Sequence, residues 1–185
     1  WMRSWEGFLH EDWRYIMMKG RTNNKLQYFI VDFGSIHLIP TLCVYMALLP
    51  MIYALAYPGN ELNNLDILAA FLAIAAVIIQ IISDQQMFNF RKNLSEPKTM
   101  QSGLWYYSRH PNYFGEILFW FSLFIFALAS NLSFAWLLIG SLIMYALIAI
   151  ASVSMMDKRS LERRSDFKEY MDSTPPIFLN VFKKG

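Results

Sequence analysis

The chain has 185 residues, 56% of them hydrophobic and 17% aromatic, against only 16% charged. That balance excludes an ordinary soluble domain, and a formal net charge of +2 gives no reason to expect nucleic acid as a partner. A single cysteine, Cys43, inside an apolar run excludes an intrachain disulfide and a CxxC site, and no metal is expected.

The chain opens on Trp1, and no signal peptide precedes the first long apolar run, so it is expected to be the C-terminal part of a longer protein. Residues 1–35, which include HEDWRY, read as a cytoplasmic or interfacial segment. Apolar runs long enough to cross a bilayer follow at about 36–57, 65–82, 113–129 and 134–156, and 157–185 form a polar tail. The expected fold class is all-α: a polytopic membrane helix bundle with four transmembrane helices, forming one membrane domain over 1–185. Pro40 and Pro50 fall inside the first span, where neighbouring helices can absorb kinks.

All 16 lysines and arginines precede the first span, lie between the second and third, or follow the fourth. The loops at 58–64 and 130–133 carry none, so the four-span count places every basic residue on one side. By the positive-inside rule that side is cytoplasmic. The expected setting is an integral membrane protein of a bacterial inner membrane, or of the endoplasmic reticulum in a eukaryote, with membrane lipid around it. The thick basic layer is where a polar cofactor would bind.

The second helix is expected to continue past the bilayer through IIQIISDQQMFNFRKN. Gln80, Asp84, Met87 and Arg91 recur at spacings of four, three and four, along one face for about 16 Å at a rise of about 1.5 Å per residue. A bound molecule could touch both Asp84 and Arg91. The same stripe also reads as a solvated helix end with a snorkelling arginine.

SRHPNYFGE then opens the third span. His110 is placed as N-cap and Pro111 at the first helical position, where the N–H that proline lacks would be unpaired anyway. Asn112 and Glu116 share a face, and Gly115 leaves room for another backbone or a ligand. A helix N-terminus with Arg109 beside it suits an anion. Interfacial anchoring by Arg109, His110 and Tyr113 is the competing reading, although Glu116 one turn inside a span is costly unless it is paired or lines a cavity.

GLWYYSRHPNYFGE, with SDQQMFNFRKN before it, HEDWRY near the start and MDKRSLERRSDFKEYMDSTPPIF near the end, resembles the membrane family that includes the C-terminal domain of steroid 5α-reductases and its bacterial relatives. The resemblance covers nearly the whole chain. RHPxYxG alone also occurs in isoprenylcysteine carboxyl and phospholipid methyltransferases, which carry a Glu pair after the next span. Here that place reads Met156-Asp157-Lys158-Arg159, which favours the reductases.

The resemblance implies an NADPH-dependent oxidoreductase that transfers hydride to the β-carbon of an enone in a steroid-like or isoprenoid lipid. It places Asp84 and Arg91 on the cofactor-contacting helix, with Gln80 on the same face, and Arg109, His110 and Asn112 in the signature loop. Arg159 and Arg163 lie near the last cofactor-contacting segment, Arg14 is a further candidate, and Glu116 and Tyr113 are the candidates for catalytic roles. The alternatives are a methyltransferase using S-adenosylmethionine and a non-catalytic lipid-binding member of the fold.

Overall fold

Helix starts in this chain are set by asparagine caps and a proline. A computed structural model describes residues 24–59, 61–94 and 96–180, together with Trp13, Ile16 and Gly20. The Arg14 assignment lies outside the described residues. Among the described residues the chain is helical with no strand. It divides into two compact units, Trp1–Leu42 and Cys43–Gly185.

In the first unit, Asn24 caps α1, Lys25–Asp32, by accepting from the Gln27 N–H at 2.8 Å. A π-helical stretch, Phe33–Leu38, leads into α2, Ile39–Ala56, whose residues from Cys43 onward belong to the second unit. Helix therefore begins eleven residues before the expected span at 36. Hydrophobic periodicity misses this start because the cap, not the apolar run, fixes it. No residue of α1 is buried, and Leu26, Phe29 and Ile30 are exposed.

The second unit is built on two antiparallel-reading helices, α3, Asn64–Lys92, and α5, Pro111–Ser130, with the single turn α4, Leu104–Tyr107, between them. Asn63 starts α3 through a capping box: its side chain accepts from the Leu65 N–H at 2.8 Å, while Asp66 accepts from the Asn63 N–H at 3.0 Å. The Asn63 side-chain amide also donates to the Ala129 carbonyl at 2.9 Å, tying the start of α3 to the end of α5. As expected, α3 runs far past its apolar run, ending on Arg91 and Lys92, which suit the negative end of the helix dipole.

One face of α3 carries Ala69, Ala76 and Ser83, spaced seven apart and fully buried, while Ile67, Phe71, Ile74 and Ile81 on the other side are exposed. Small residues let helix backbones approach closely, which is the main source of helix association in lipid. Gly115 of α5 meets this face: a Cβ there would lie 2.8 Å from both the Ala76 carbonyl oxygen and Gln80 Cγ. The room expected at Gly115 is filled by another backbone.

The fourth helical run is composite. A 3-10 stretch, Leu132–Leu137, leads to α6, Leu138–Ala146, then a π-helical stretch, Leu147–Val153, and α7, Ser154–Arg163. It reaches seven residues beyond the expected span end at 156, because DKRSLER is polar but still helix-compatible. The short α8, Phe167–Ser173, closes the described fold. Four helical runs, Lys25–Ala56, Asn64–Lys92, Pro111–Ser130 and Leu132–Arg163, are long and apolar enough to cross a membrane.

Helix α6 presses Gly140 against α2, so that a Cβ there would collide with the Met46 carbonyl. Gly140→Ala is expected to force the two helices apart and cost about 1–3 kcal/mol, read as a lower thermal midpoint in detergent.

Candidate functional site

The segment before α5 is fastened from three directions. Gly103, at φ 63°, turns the chain so that the Leu104 N–H donates to Gln86 of α3 at 3.0 Å and the Trp105 indole donates to the Ser83 carbonyl at 3.1 Å. A Cβ at Gly103 would collide with Gln86, and the positive φ itself favours glycine. From α8, the Tyr170 hydroxyl donates to the carbonyls of Trp105 and Ser108. The chain after α8 completes the hold. Arg109 N–H donates to the Pro175 carbonyl at 2.9 Å, Ser108 Oγ to the Ile177 carbonyl at 2.8 Å, and Asn180 N–H to the Tyr107 carbonyl at 2.9 Å.

Asp157 of α7 lies under this segment with its side chain 12% exposed. Arg109 Nη2 donates to Asp157 Oδ2 at 2.8 Å, and His110 Nε2 lies 2.8 Å from Oδ1. Arg109 Nη1 donates to the carbonyls of Met171 and Thr174, at 2.8 and 3.0 Å. Burial pushes the Tyr170 hydroxyl well above its usual range, Arg109 opposing the rise and Asp157 adding to it. Tyr170 therefore stays a neutral donor to the loop carbonyls.

Above this cluster opens a cavity of about 220 Å³. Asp84, Met87 and Arg91 line it from α3, Arg109, His110, Asn112 and Tyr113 from the α5 start, and Met156 and Ser160 from α7. Arg164, Phe167 and Tyr170 close it from beyond α7, and Thr99 and Met100 from the loop after α3. Two polar atoms of lining residues, Arg109 Nε and Asn112 Oδ1, are buried behind the wall without a hydrogen-bond partner. Such atoms are costly unless a ligand or water satisfies them.

The cavity rim carries two arginines, with Asp84 near Arg91 and Asp166 near Arg164. Among the described residues, neither Arg91 nor Arg164 has a carboxylate within ion-pair distance. Burial, then the like charge of Arg91, lowers the Arg164 pKa, with Asp166 opposing. Asp166 itself holds the loop: its carboxylate accepts from Thr99 N–H at 2.9 Å and Thr99 Oγ1 at 2.7 Å. Burial pushes that carboxyl up, but these hydrogen bonds and Arg164 hold it below the usual carboxylate range.

The structure thus brings together Asp84, Arg91, Arg109, His110, Asn112 and Tyr113, six of the residues singled out from sequence. Gln80 instead packs on Gly115, one turn away from the cavity wall. Glu116 is half-buried on α5 and does not line the cavity, nor do Arg159 and Arg163. The charge that sequence analysis assigns to Arg109 as an anion anchor is taken up by Asp157, so the open cations are Arg91 and Arg164. His110 caps α5 by position, but its ring turns to Asp157 instead of capping the helix.

Sequence reasoning missed Asp157, Ser160, Arg164 and Tyr170. The one available signal was a carboxylate at the very end of an apolar run, where an unpaired charge would be costly.

Fold and site define a polytopic helical membrane protein with a polar, cation-rimmed cavity. The chain belongs to the DUF1295 family, described as proteins of unknown function, whose profile matches residues 1–174. It is similar to an uncharacterized protein of Schizosaccharomyces pombe, at 25% identity over 190 residues, covering 91% of this chain and 54% of that protein. The chain therefore spans about half the length of the curated relative it matches. No solved structure matches it.

Asp157→Ala would leave a buried guanidinium and imidazole without their acceptor, and is expected to cost about 3–5 kcal/mol in thermal or denaturant unfolding. The Thr99–Asp166 contact should hold above the ordinary carboxylate range of about pH 4 and weaken as pH falls through the lowered Asp166 pKa. The Thr99 amide NMR resonance is expected to be stationary above about pH 4 and to move only below it.

Proposed function

We propose that the cavity is the cofactor end of an NADPH-dependent membrane reductase that reduces the C=C bond of an enone in a lipid or steroid-like substrate. The observation that carries this reading is the pair Arg91 and Arg164, two cations on one cavity with no carboxylate in ion-pair contact among the described residues. NADPH carries about four negative charges, suited to guanidinium donors, whereas S-adenosylmethionine is a net cation and would add to the repulsion.

The orphaned polar atoms fit a nucleotide as well. Arg109 Nε and Asn112 Oδ1 would become a donor and an acceptor for a ligand once their side chains turn to it, and Asp84 at the exposed rim offers a further acceptor. The cavity is smaller than the roughly 300–1,000 Å³ of typical small-molecule sites, so it suits one end of a dinucleotide. When bound, NADPH supplies the hydride that reaches the β-carbon of the enone. The protein's own part is to hold the anion at Arg91 and Arg164, to orient the polar end against Asn112 and His110, and to exclude water with Met87, Met100, Met156 and Trp105.

An apolar groove of about 500 Å³, lined by Phe114, Ile117, Leu118, Phe121, Leu142, Tyr145 and Phe178, starts one residue along α5 from Tyr113 and suits a membrane-derived hydrophobic substrate. The basic residues around the cavity support a cytoplasmic placement for it.

Three measurements test this reading. In the purified full-length protein, NADPH is expected to bind and S-adenosylmethionine not to; the reverse would sink the reductase in favour of the methyltransferase, and binding of neither would favour a non-catalytic role. Arg91→Ala and Arg164→Ala are each expected to weaken NADPH binding about tenfold, the loss of one charge-assisted hydrogen bond. In a Cys43→Ala background, single cysteines at Lys98 and Glu61 are expected to react with impermeant maleimide from opposite sides, Lys98 from the cytoplasm.

A further inference from the structure

The group that the proposed function leaves unexplained is Asp157. It is buried, it belongs to α7, and it touches two residues of the loop before α5. A pure salt bridge to Arg109 would not need His110. Yet the carboxylate divides its oxygens, Oδ2 to Arg109 and Oδ1 to His110.

An ionised carboxylate only accepts hydrogen bonds, so the His110 nitrogen 2.8 Å from Oδ1 must carry the proton. A neutral imidazole has one protonated and one bare nitrogen, and fixing Nε2–H leaves Nδ1 as a lone-pair acceptor. His110 lines the cavity, and its Nδ1 makes no hydrogen bond among the described residues. Ring rotation is restrained: His110 is 7% exposed and stacks on Tyr113, with centroids 5.2 Å apart and planes at 14°. The charged and titratable groups around it are Asp157 of α7, Arg109, Asp84 and Arg91 of α3, Arg164, and Tyr170 of α8. Asp157 gives His110 a fixed acceptor at Oδ1 while its other oxygen is held by Arg109.

We propose that Asp157 is a positioning residue for ligand recognition, fixing His110 as the Nε2–H tautomer so that Nδ1 faces the cavity as acceptor for an N–H or O–H donor of a bound nucleotide. Nδ1 and Asn112 Oδ1 then make an acceptor edge, and Arg91 and Arg164 a cationic rim. A ligand matched to both carries hydrogen-bond donors close to anionic groups. Ribose hydroxyls and the nicotinamide carboxamide of a phosphorylated dinucleotide share that chemistry. The nucleotide part of this inference rests on the proposed function; the tautomer does not.

The test is nitrogen-15 NMR of the full-length protein in nanodiscs at pH 8, with ring-labelled histidine and the His110→Gln spectrum identifying the His110 signals. In the ligand-free protein, a protonated Nε2 and a bare Nδ1 are expected, with Nδ1 moving upfield on saturation with NADPH. Asp157→Asn is expected to populate both tautomers. His110→Gln keeps an amide where Nε2 stood, so it should retain the thermal midpoint and lose about tenfold in NADPH affinity. If adenosine 2′,5′-bisphosphate loses affinity equally, the donor lies on the adenosine half; if it does not, the donor lies on the nicotinamide half.

A ligand-free His110 protonated at Nδ1, or at both nitrogens, would overturn the assignment, as would His110→Gln binding NADPH as tightly as the wild type. Failure of the wild type to bind NADPH would instead remove the functional reading, while the ligand-free tautomer would still decide the role of Asp157.

Discussion

The Asp157 carboxylate accepts hydrogen bonds from Arg109 and His110 at once, inside a layer where an unpaired charge costs several kcal/mol. Arg109 passes the constraint on, because its other terminal nitrogen holds the Met171 and Thr174 carbonyls. One carboxylate therefore joins α7 to the loop before α5, both of which contribute walls to the cavity, and through Arg109 reaches α8 and the chain after it. Tyr170 and Ser108 reinforce the same junction through neutral hydrogen bonds. Ion pairing here serves position more than stability, since the desolvation of both partners offsets much of the attraction.

Beneath that polar junction the scaffold is set by close backbone approach. Ala69, Ala76 and Ser83 form the buried face of α3, Gly115 of α5 lies against Ala76, and Gly140 of α6 faces α2. In lipid, apolar side chains gain little by leaving one another for hydrocarbon, so dispersion between closely packed backbones carries the association. Gly115 sits within the motif that also holds Arg109 and His110. Packing of the bundle and placement of the site are thus fixed by neighbouring residues of one short segment.

The four spans were legible because each is an apolar run bounded by polar loops, and the one-sided basic residues set their alternation. Their ends were less so: Asn24 starts the first helical run well before its apolar stretch, and polar DKRSLER prolongs the last. In the site, the stripe on α3 and the RHPNY turn were legible from spacing and helix-end chemistry. Gln80 was assigned correctly to the stripe's face but lies deeper, where that face packs on Gly115. Of the tail arginines, Arg159 and Arg163 do not line the cavity, whereas Arg164 does, at the point where the chain leaves the helix with φ −135° and ψ 116°. Asp157 escaped because its partners lie 47 and 48 residues away, and no local periodicity reports so distant a pairing.

The proposed function depends on the cavity cations: Arg109 is held by Asp157, whereas Arg91 and Arg164 have no ion-pair contact among the described residues and are the groups proposed to meet an anion, beside Asn112 and His110. The measurement that tests this most directly is an experimental structure of the full-length protein in nanodiscs with NADPH. The account predicts phosphate oxygens within hydrogen-bond distance of the Arg91 and Arg164 guanidinium groups, with the Asp157 cluster intact below them. A dinucleotide bound elsewhere, with both arginines turned to solvent, would contradict it.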